Sequence, residues 1–412
     1  MSKNTTGQLG LNIVGHVKGE YGLGEAVRAN VRSIEAANIP YKLKDISVDW
    51  HRNLDDTYTN FSDDNPYLVN LVQVNPSSLF YDTLGSEYFQ SRYNIGYWAW
   101  EMPDMIPGWE SAFELFDEIW TLSNHCAESI SAVSPIPVVK IMPSLVLPQP
   151  SISRKELGLP KQKFIFLFMF DFHSTTARKN PEGIIQSFKK AFGNSNKDVL
   201  LIIKSSNAKH HPHKLKWLKE LAEDNPWISF ISEHLKKEEV NALVYNCDCY
   251  ISLHRAEGFG LTMAEAMFYG KPVIGTGYSS NTEFMNVGNS FLVKYKIVPN
   301  AEDYGDFSKG SSFWAEPDID HAASLMKYIF HNYEQAKQVG DRAAVEIKSL
   351  LSPQRLGKKI KTRLEYIMKF SDRILEAKKE KRWWELQVKA WKKTAYKTQK
   401  ELELIRTQHN MS

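Results

Sequence analysis

A chain of 412 residues is too long for one ordinary core, so two domains are expected. Hydrophobic residues at 42% and charged residues at 24% exclude a disordered chain. A net charge of +3, from 51 basic and 48 acidic residues, argues against a nucleic-acid partner, and three cysteines exclude a disulfide scaffold and suit a reducing cytoplasm.

The polar start, Met1 to Gly10, lacks the apolar core of a signal peptide, and no later apolar run reaches the roughly 18 to 20 residues of a membrane span. The first ordered signal is Leu11-Asn12-Ile13-Val14-Gly15, short and apolar as in a buried parallel strand. A glycine turn, Gly19-Glu20-Tyr21-Gly22-Leu23-Gly24, follows it, and Ala26, Val27, Val31 and Ile34 then recur at helical spacing. Strand, glycine loop and helix open a βαβ unit. Further strands are predicted at 68–72, 93–98, 118–122 and 137–142. The proline-rich stretch Pro143 to Pro160 reads as a linker between domains 1–150 and 151–355.

Beyond it the alternation is regular. Strands are predicted at 164–170, 199–203, 227–231, 249–253 and 273–275. Helices are predicted at 181–192, 213–222, 236–245 and 261–269, with another after Ser280. This predicts two doubly wound α/β domains facing a cleft. Residues 356–374 are expected to return as a helix toward the first domain, and 375–412 to form a long helical tail. In that tail Trp384, Val388, Trp391, Ala395, Thr398, Leu402 and Ile405 step by the alternating fours and threes of a coiled-coil seam. Nine Lys and Arg between Lys378 and Lys400 oppose Glu380 and Glu385, a local charge of about +7. The tail packs on its own domain, joins a second copy, or lies on an anionic membrane surface.

The chemistry concentrates in His254-Arg255-Ala256-Glu257-Gly258-Phe259-Gly260-Leu261-Thr262-Met263-Ala264-Glu265. Glu257 falls in the turn at the carboxyl end of a strand, where open α/β sheets bind ligands, and Glu265 on the next helix. Gly258 and Gly260 allow close backbone approach, and the helix start at Leu261 and Thr262 offers amides to an anion. Carboxylates beside an anion site suit a polyol carrying a phosphate. The segment Asp171 to Pro181 adds Arg178 and Lys179, and Lys204 ends the strand before the next turn. His210, His211 and His213 have no Cys or carboxylate at metal-ligand spacing, so no metal is expected there. Cys247 and Cys249 read as core thiols.

The pattern from Arg255 to Ile274, with Glu-Ala-Met and then Gly-Lys-Pro-Val-Ile, resembles the retaining glycosyltransferases of family 4, which have the GT-B fold. The looser resemblance covers about residues 1–370. It implies that Glu257 contacts a donor sugar and Glu265 a nucleotide ribose. Gly258, Phe259, Gly260, Leu261 and Thr262 join the donor site, as do Gly22 and Gly24 of the first glycine loop. Lys179 matches the family's diphosphate lysine, but the family's upstream Arg is missing, and Arg178 or Lys204 is left to replace it. The family's sugar-binding His is also absent. Trp100, Glu101 and His125 are the nearby candidates for sugar or acceptor contact, with core packing the competing reading for the aromatics. The implied activity is metal-independent transfer of a hexose, with retention, from a nucleotide-diphosphate sugar to a glycan or lipid-linked acceptor in surface polysaccharide synthesis, without a cofactor. The implied location is the cytoplasm or the inner membrane face. The alternatives are another GT-B enzyme, such as a nucleotide-sugar epimerase, or a scaffold that assembles partners through its tail.

Overall fold

The computed structural model describes residues 8–48, 51–76, 83–106, 108–303, 307–370 and 373–380. The coiled-coil seam from Trp384 to Ile405 lies outside them. Among the described residues no helix is long and apolar enough to cross a membrane.

The first sheet holds β1 (Leu11–Gly15), β2 (Tyr41–Asp45), β3 (Val69–Gln73), β4 (Tyr93–Trp98), β5 (Glu118–Thr121) and β6 (Val138–Lys140). Its order is β2-β1-β3-β4-β5-β6, with every neighbour parallel. β1, β3 and β4 are buried at every residue, because helices cover both faces of a parallel sheet. That explains why these strands read as largely apolar runs.

Three asparagines interrupt those runs. Asn12, Asn70 and Asn94 stand directly opposite one another on β1, β3 and β4. Asn12 Nδ2 donates to Asn70 Oδ1, and Asn70 Nδ2 to Asn94 Oδ1, both at 2.9 Å. Asn12 Oδ1 accepts from the Tyr67 amide at 3.0 Å, and Asn94 Nδ2 donates to the Phe89 carbonyl at 2.9 Å. The ladder joins three strands at one level, and a one-residue slip breaks every bond in it. Asn70→Ala leaves both neighbours short of a buried partner and should cost about 2 kcal/mol in urea unfolding. An unchanged midpoint would refute this role.

The second sheet holds β7 (Phe164–Asp171), β8 (Val199–Ser206), β9 (Ile228–Ile231), β10 (Cys249–Ser252), β11 (Val273–Thr276) and β12 (Phe291–Val293). Its order is β12-β11-β10-β7-β8-β9, again parallel throughout. The doubly wound architecture predicted for both halves is therefore present. Each sheet reverses its winding once, between β1 and β3 in the first and between β7 and β10 in the second. Open α/β sheets bind ligands outside the strand ends at such points.

Several predicted elements differ. β2 was not predicted; it is an edge strand in which only Leu43 is fully buried, and its lysines hide the pattern. The segment after Ser280 is a short 3-10 turn, Ser280–Glu283, not a helix. An antiparallel hairpin, β13 (Tyr295–Pro299) with β14 (Phe313–Pro317), stands outside the β-α alternation and buries Trp314.

The final described helices cross back. Helix Pro353–Lys369 packs on helix Gly22–Ala36, where Gly357 meets the Ser33 carbonyl so closely that a Cβ would lie 2.2 Å from it. Arg363 pairs with the fully buried Glu118 of β5. Residues 373–380 are helical, and Lys378 Nζ donates to the Arg92 carbonyl at 2.6 Å and to Asp117 Oδ2 at 2.5 Å.

Candidate active site

A cleft of about 440 Å³ lies between the carboxyl ends of the two sheets. Its first-domain wall comes from the loop after β1, the start of helix Gly22–Ala36, His51 and the segment after β4. Its second-domain wall comes from the segments after β7, β8 and β10. Both switch points therefore open into one space.

The turns after β7 and β10 are fastened to each other. The Arg255 amide donates to the Arg178 carbonyl at 2.7 Å, and Arg255 Nη1 to the Ala177 carbonyl at 2.5 Å. Asn180 takes up the left-handed conformation at φ 54°, which an asparagine tolerates better than most residues. Its Oδ1 accepts from the Gly183 amide at 3.0 Å, capping helix Pro181–Phe192, while its Nδ2 donates to the Leu253 carbonyl at 2.9 Å. The residue just before it, Lys179, is thereby held against the end of β10.

Glu257 occupies the centre. Lys179 Nζ donates to its Oε1 at 2.5 Å, and Arg178 Nη1 stands 3.5 Å from its Oε2. Its amide donates to Ser279 Oγ at 2.9 Å. Burial alone would raise the carboxyl pKa, but Lys179, Arg178 and His254 outweigh it and hold the value down at about 2. His254 is fully buried. Its Nδ1 lies 3.1 Å from Ser252 Oγ and its Nε2 3.0 Å from Asn281 Oδ1, which braces the turn leading to Glu257.

Arg178 is a clamp between the domains. It is 3% exposed, donates to the Ala256 carbonyl at 2.8 Å, and lies 3.3 Å from Glu101 Oε1 of the first domain. It is thus already engaged by two carboxylates. Lys204 is also buried, where its Nζ donates to the Ser205 carbonyl at 2.8 Å, and burial lowers its pKa against the pull of Asp171 and Glu233. Asp171, at the end of β7, is held by both its oxygens to Asn207 Nδ2 at 2.9 Å.

Gly260 begins helix Leu261–Phe268 at φ 87°, and a Cβ there would lie 2.6 Å from Met263 Cε. The helix start brings Leu261, Thr262 and Glu265 to the wall, beside Gly258 and Phe259. Burial and the facing Glu25 carboxylate push Glu265 up to about 8, with Lys237 opposing. Its folded pKa is thus above the ordinary 4.5, so ionising it costs stability as pH rises from about 4.5 through 8. Glu265→Gln removes that cost. The variant should gain at least about 1 kcal/mol on wild type between pH 5 and pH 9 in urea unfolding. A gap that stays constant with pH would contradict the burial of an ionisable Glu265.

Of the residues named from sequence, Glu257, Lys179, Arg178, Glu265, Lys204, Gly258, Phe259, Gly260, Leu261, Thr262, Gly22 and Glu101 all line the cleft. Three others do not. Trp100 is buried against Trp109 and Phe307, with its indole N–H donating to the Asp104 carbonyl at 2.6 Å. His125 turns its Nε2 to the Glu101 carbonyl at 2.8 Å and its ring edge to Tyr278. Gly24 faces the loop carbonyls of Gly19 and His16. The sequence reading missed Glu20, Tyr21, Glu25, His51 and His173, which also line the cleft. Tyr21 and Glu25 lie in or beside the glycine loop and were within reach of it. His51 and His173 carry no local signal; only the fold brings their rings to 5.1 Å.

Residues 151–345 match the family of glycosyl transferases, group 1. The match covers the second-domain wall, including Lys179, Lys204, Glu257 and Glu265. A trehalose synthase of Pyrococcus horikoshii is 29% identical over 136 residues, or 32% of this chain, and the match spans 27% of that relative's length. Among solved structures, Anabaena HepE in complex with UDP and glucose superposes with a TM-score of 0.62 at 13% identity, covering 87% of this chain and 100% of that one. A sucrose-phosphate synthase from Thermosynechococcus elongatus gives 0.62 at 12% identity, covering 87% and 99%. A glycosyltransferase from Rickettsia africae gives 0.62 at 13%, covering 88% and 99%. The chain has the GT-B fold of these enzymes.

Proposed function

We propose that the protein is a glycosyltransferase that moves a hexose from a nucleoside-diphosphate sugar to a glycan or lipid-linked acceptor, with retention and without a metal. The observation that carries this reading is the convergence of Glu257, Glu265, Lys179 and Lys204 on one cleft, inside the region that matches group 1 glycosyl transferases.

In this reading Glu265 accepts the ribose hydroxyls. Lys179, Lys204 and the helix start at Leu261 and Thr262 take the diphosphate. Lys204 is the better substitute for the absent Arg, because Arg178 is committed to Glu101 and Glu257. The bond from the anomeric carbon to the diphosphate oxygen breaks with its electron pair leaving on the phosphate. The acceptor oxygen bonds to the same face of that carbon, and its proton passes to the departing phosphate. The negative charge of Glu257 beside the sugar favours the oxocarbenium-like transition state.

The test is a calorimetric panel of UDP, GDP, ADP, dTDP and CMP, each with and without EDTA. One diphosphate should bind, equally well with the chelator. Glu265→Ala should weaken that binding by about 1–3 kcal/mol through loss of the hydrogen-bond partner of the ribose hydroxyls. Folded protein that binds none of the five would sink the proposal.

A further inference from the structure

We propose that the acceptor subsite is built for a neutral, polyhydroxylated sugar and rejects phosphorylated and carboxylated ones. This rests on the glycosyltransferase reading and names its acceptor class. The first-domain wall of the cleft carries Glu20, Glu25 and Glu101, and among its described residues no Lys or Arg lines the cleft. Across from it, the second domain adds the carboxylates of Asp171 and Glu257.

Among the described residues, the Lys and Arg that line the cleft are Arg178, Lys179 and Lys204, all on the second domain. Arg178 is engaged by Glu101 and Glu257, and Lys179 by Glu257. A donor diphosphate would draw on what remains. Among the described lining residues no Lys or Arg is then left over for a second anion, and an anionic acceptor would enter a site already rich in negative charge.

The cations that pair with Glu20 and Glu25 are not among the residues that line the cleft, and they include Lys237 of the second domain, 3.3 Å from Glu25. Arg28 and Arg32 bind Glu25 from its own helix, and Arg28 turns its Nη1 to the Val17 and Gly19 carbonyls. Arg52 holds Glu20 at 2.9 Å from outside the cleft. The start of helix Gly22–Ala36 would favour an anion, and Glu25 in its first turn offsets it.

What the wall does offer suits a neutral sugar. The rings of Tyr21 and His51 stack at 3.9 Å and 13°, giving a flat platform for the C–H face of a pyranose. Burial holds the His51 imidazole below its ordinary pKa, so near neutrality the platform adds no positive charge. Glu20 and Glu101 line the same cleft and can accept hydroxyl protons.

The experiment pairs methyl hexosides with the matching hexose 6-phosphates and uronates. Binding is measured by saturation-transfer NMR on protein loaded with the diphosphate chosen by the nucleotide panel, and donor hydrolysis is followed separately. Neutral members should bind at least about 30-fold tighter than their anionic partners. Glu20→Lys, at an exposed position, should narrow that ratio about tenfold by placing a cation on the wall. Anionic members binding as well as neutral ones, or neither class binding the loaded protein, would overturn the inference. A protein that neither binds a nucleotide nor hydrolyses any donor overturns the glycosyltransferase reading, and this inference with it.

Discussion

Glu257→Gln should lower kcat about 100- to 1,000-fold while the nucleoside diphosphate binds at least as tightly as to wild type. The substitution keeps the shape and removes the charge. That charge is what Glu257 would set beside a developing oxocarbenium ion. It also occupies Lys179 at 2.5 Å and Arg178 at 3.5 Å, so its loss returns cations to the diphosphate. Turnover and affinity are therefore expected to move in opposite directions, which a merely unfolded variant would not show. Because the Glu257 pKa is held at about 2, its ion pairs are complete above about pH 4.5 and fade as pH falls toward 2. Steady-state kinetics with calorimetry on one preparation decides the matter. A variant with wild-type kcat would remove Glu257 from the chemistry.

The second large effect separates two glycines of one loop. Gly24→Ala should destabilise the protein by about 3 kcal/mol, because the new Cβ would stand 2.2 Å from the Gly19 carbonyl oxygen and 2.8 Å from that of His16. Both are backbone atoms of a tight turn, and neither can swing aside as a side chain would. Gly22→Ala should leave stability nearly unchanged, since a Cβ there meets nothing within 4 Å. Gly22 lines the cleft, so its added methyl should instead weaken nucleotide binding several-fold. Urea midpoints and nucleotide titrations of the two variants check both halves. A stable Gly24→Ala protein with impaired binding would return Gly24 to the ligand site and refute its packing role.

The glycine loop shows where sequence reading stops. Its position after an apolar strand was legible, because a parallel strand buried on both faces leaves a largely apolar run that ends at a turn. Which glycine faces ligand and which faces protein was not legible, since that depends on the contact of Gly24 with a turn five residues upstream. Trp100 and His125 failed for a related reason. Their neighbourhood was right, but Trp100 meets Phe307 from the hairpin-bearing segment of the other domain, and His125 turns toward Glu101 and Tyr278. Strand β2 was hidden by its lysines, and the Asn12–Asn70–Asn94 ladder by the distance in sequence between its members.

Short-range constraints were what the sequence by itself determined. Alternating apolar runs and helical periodicities required two parallel, doubly wound sheets. The run from His254 to Glu265 carried its chemistry in order, because one strand, one turn and one helix place Glu257 and Glu265 without help from elsewhere. Only the tertiary structure decided the pairings across the cleft, Glu101 with Arg178 and Glu25 facing Glu265. These residues are far apart in the chain. Their charges meet only because the two switch points open into the same cleft, and no local pattern records that meeting.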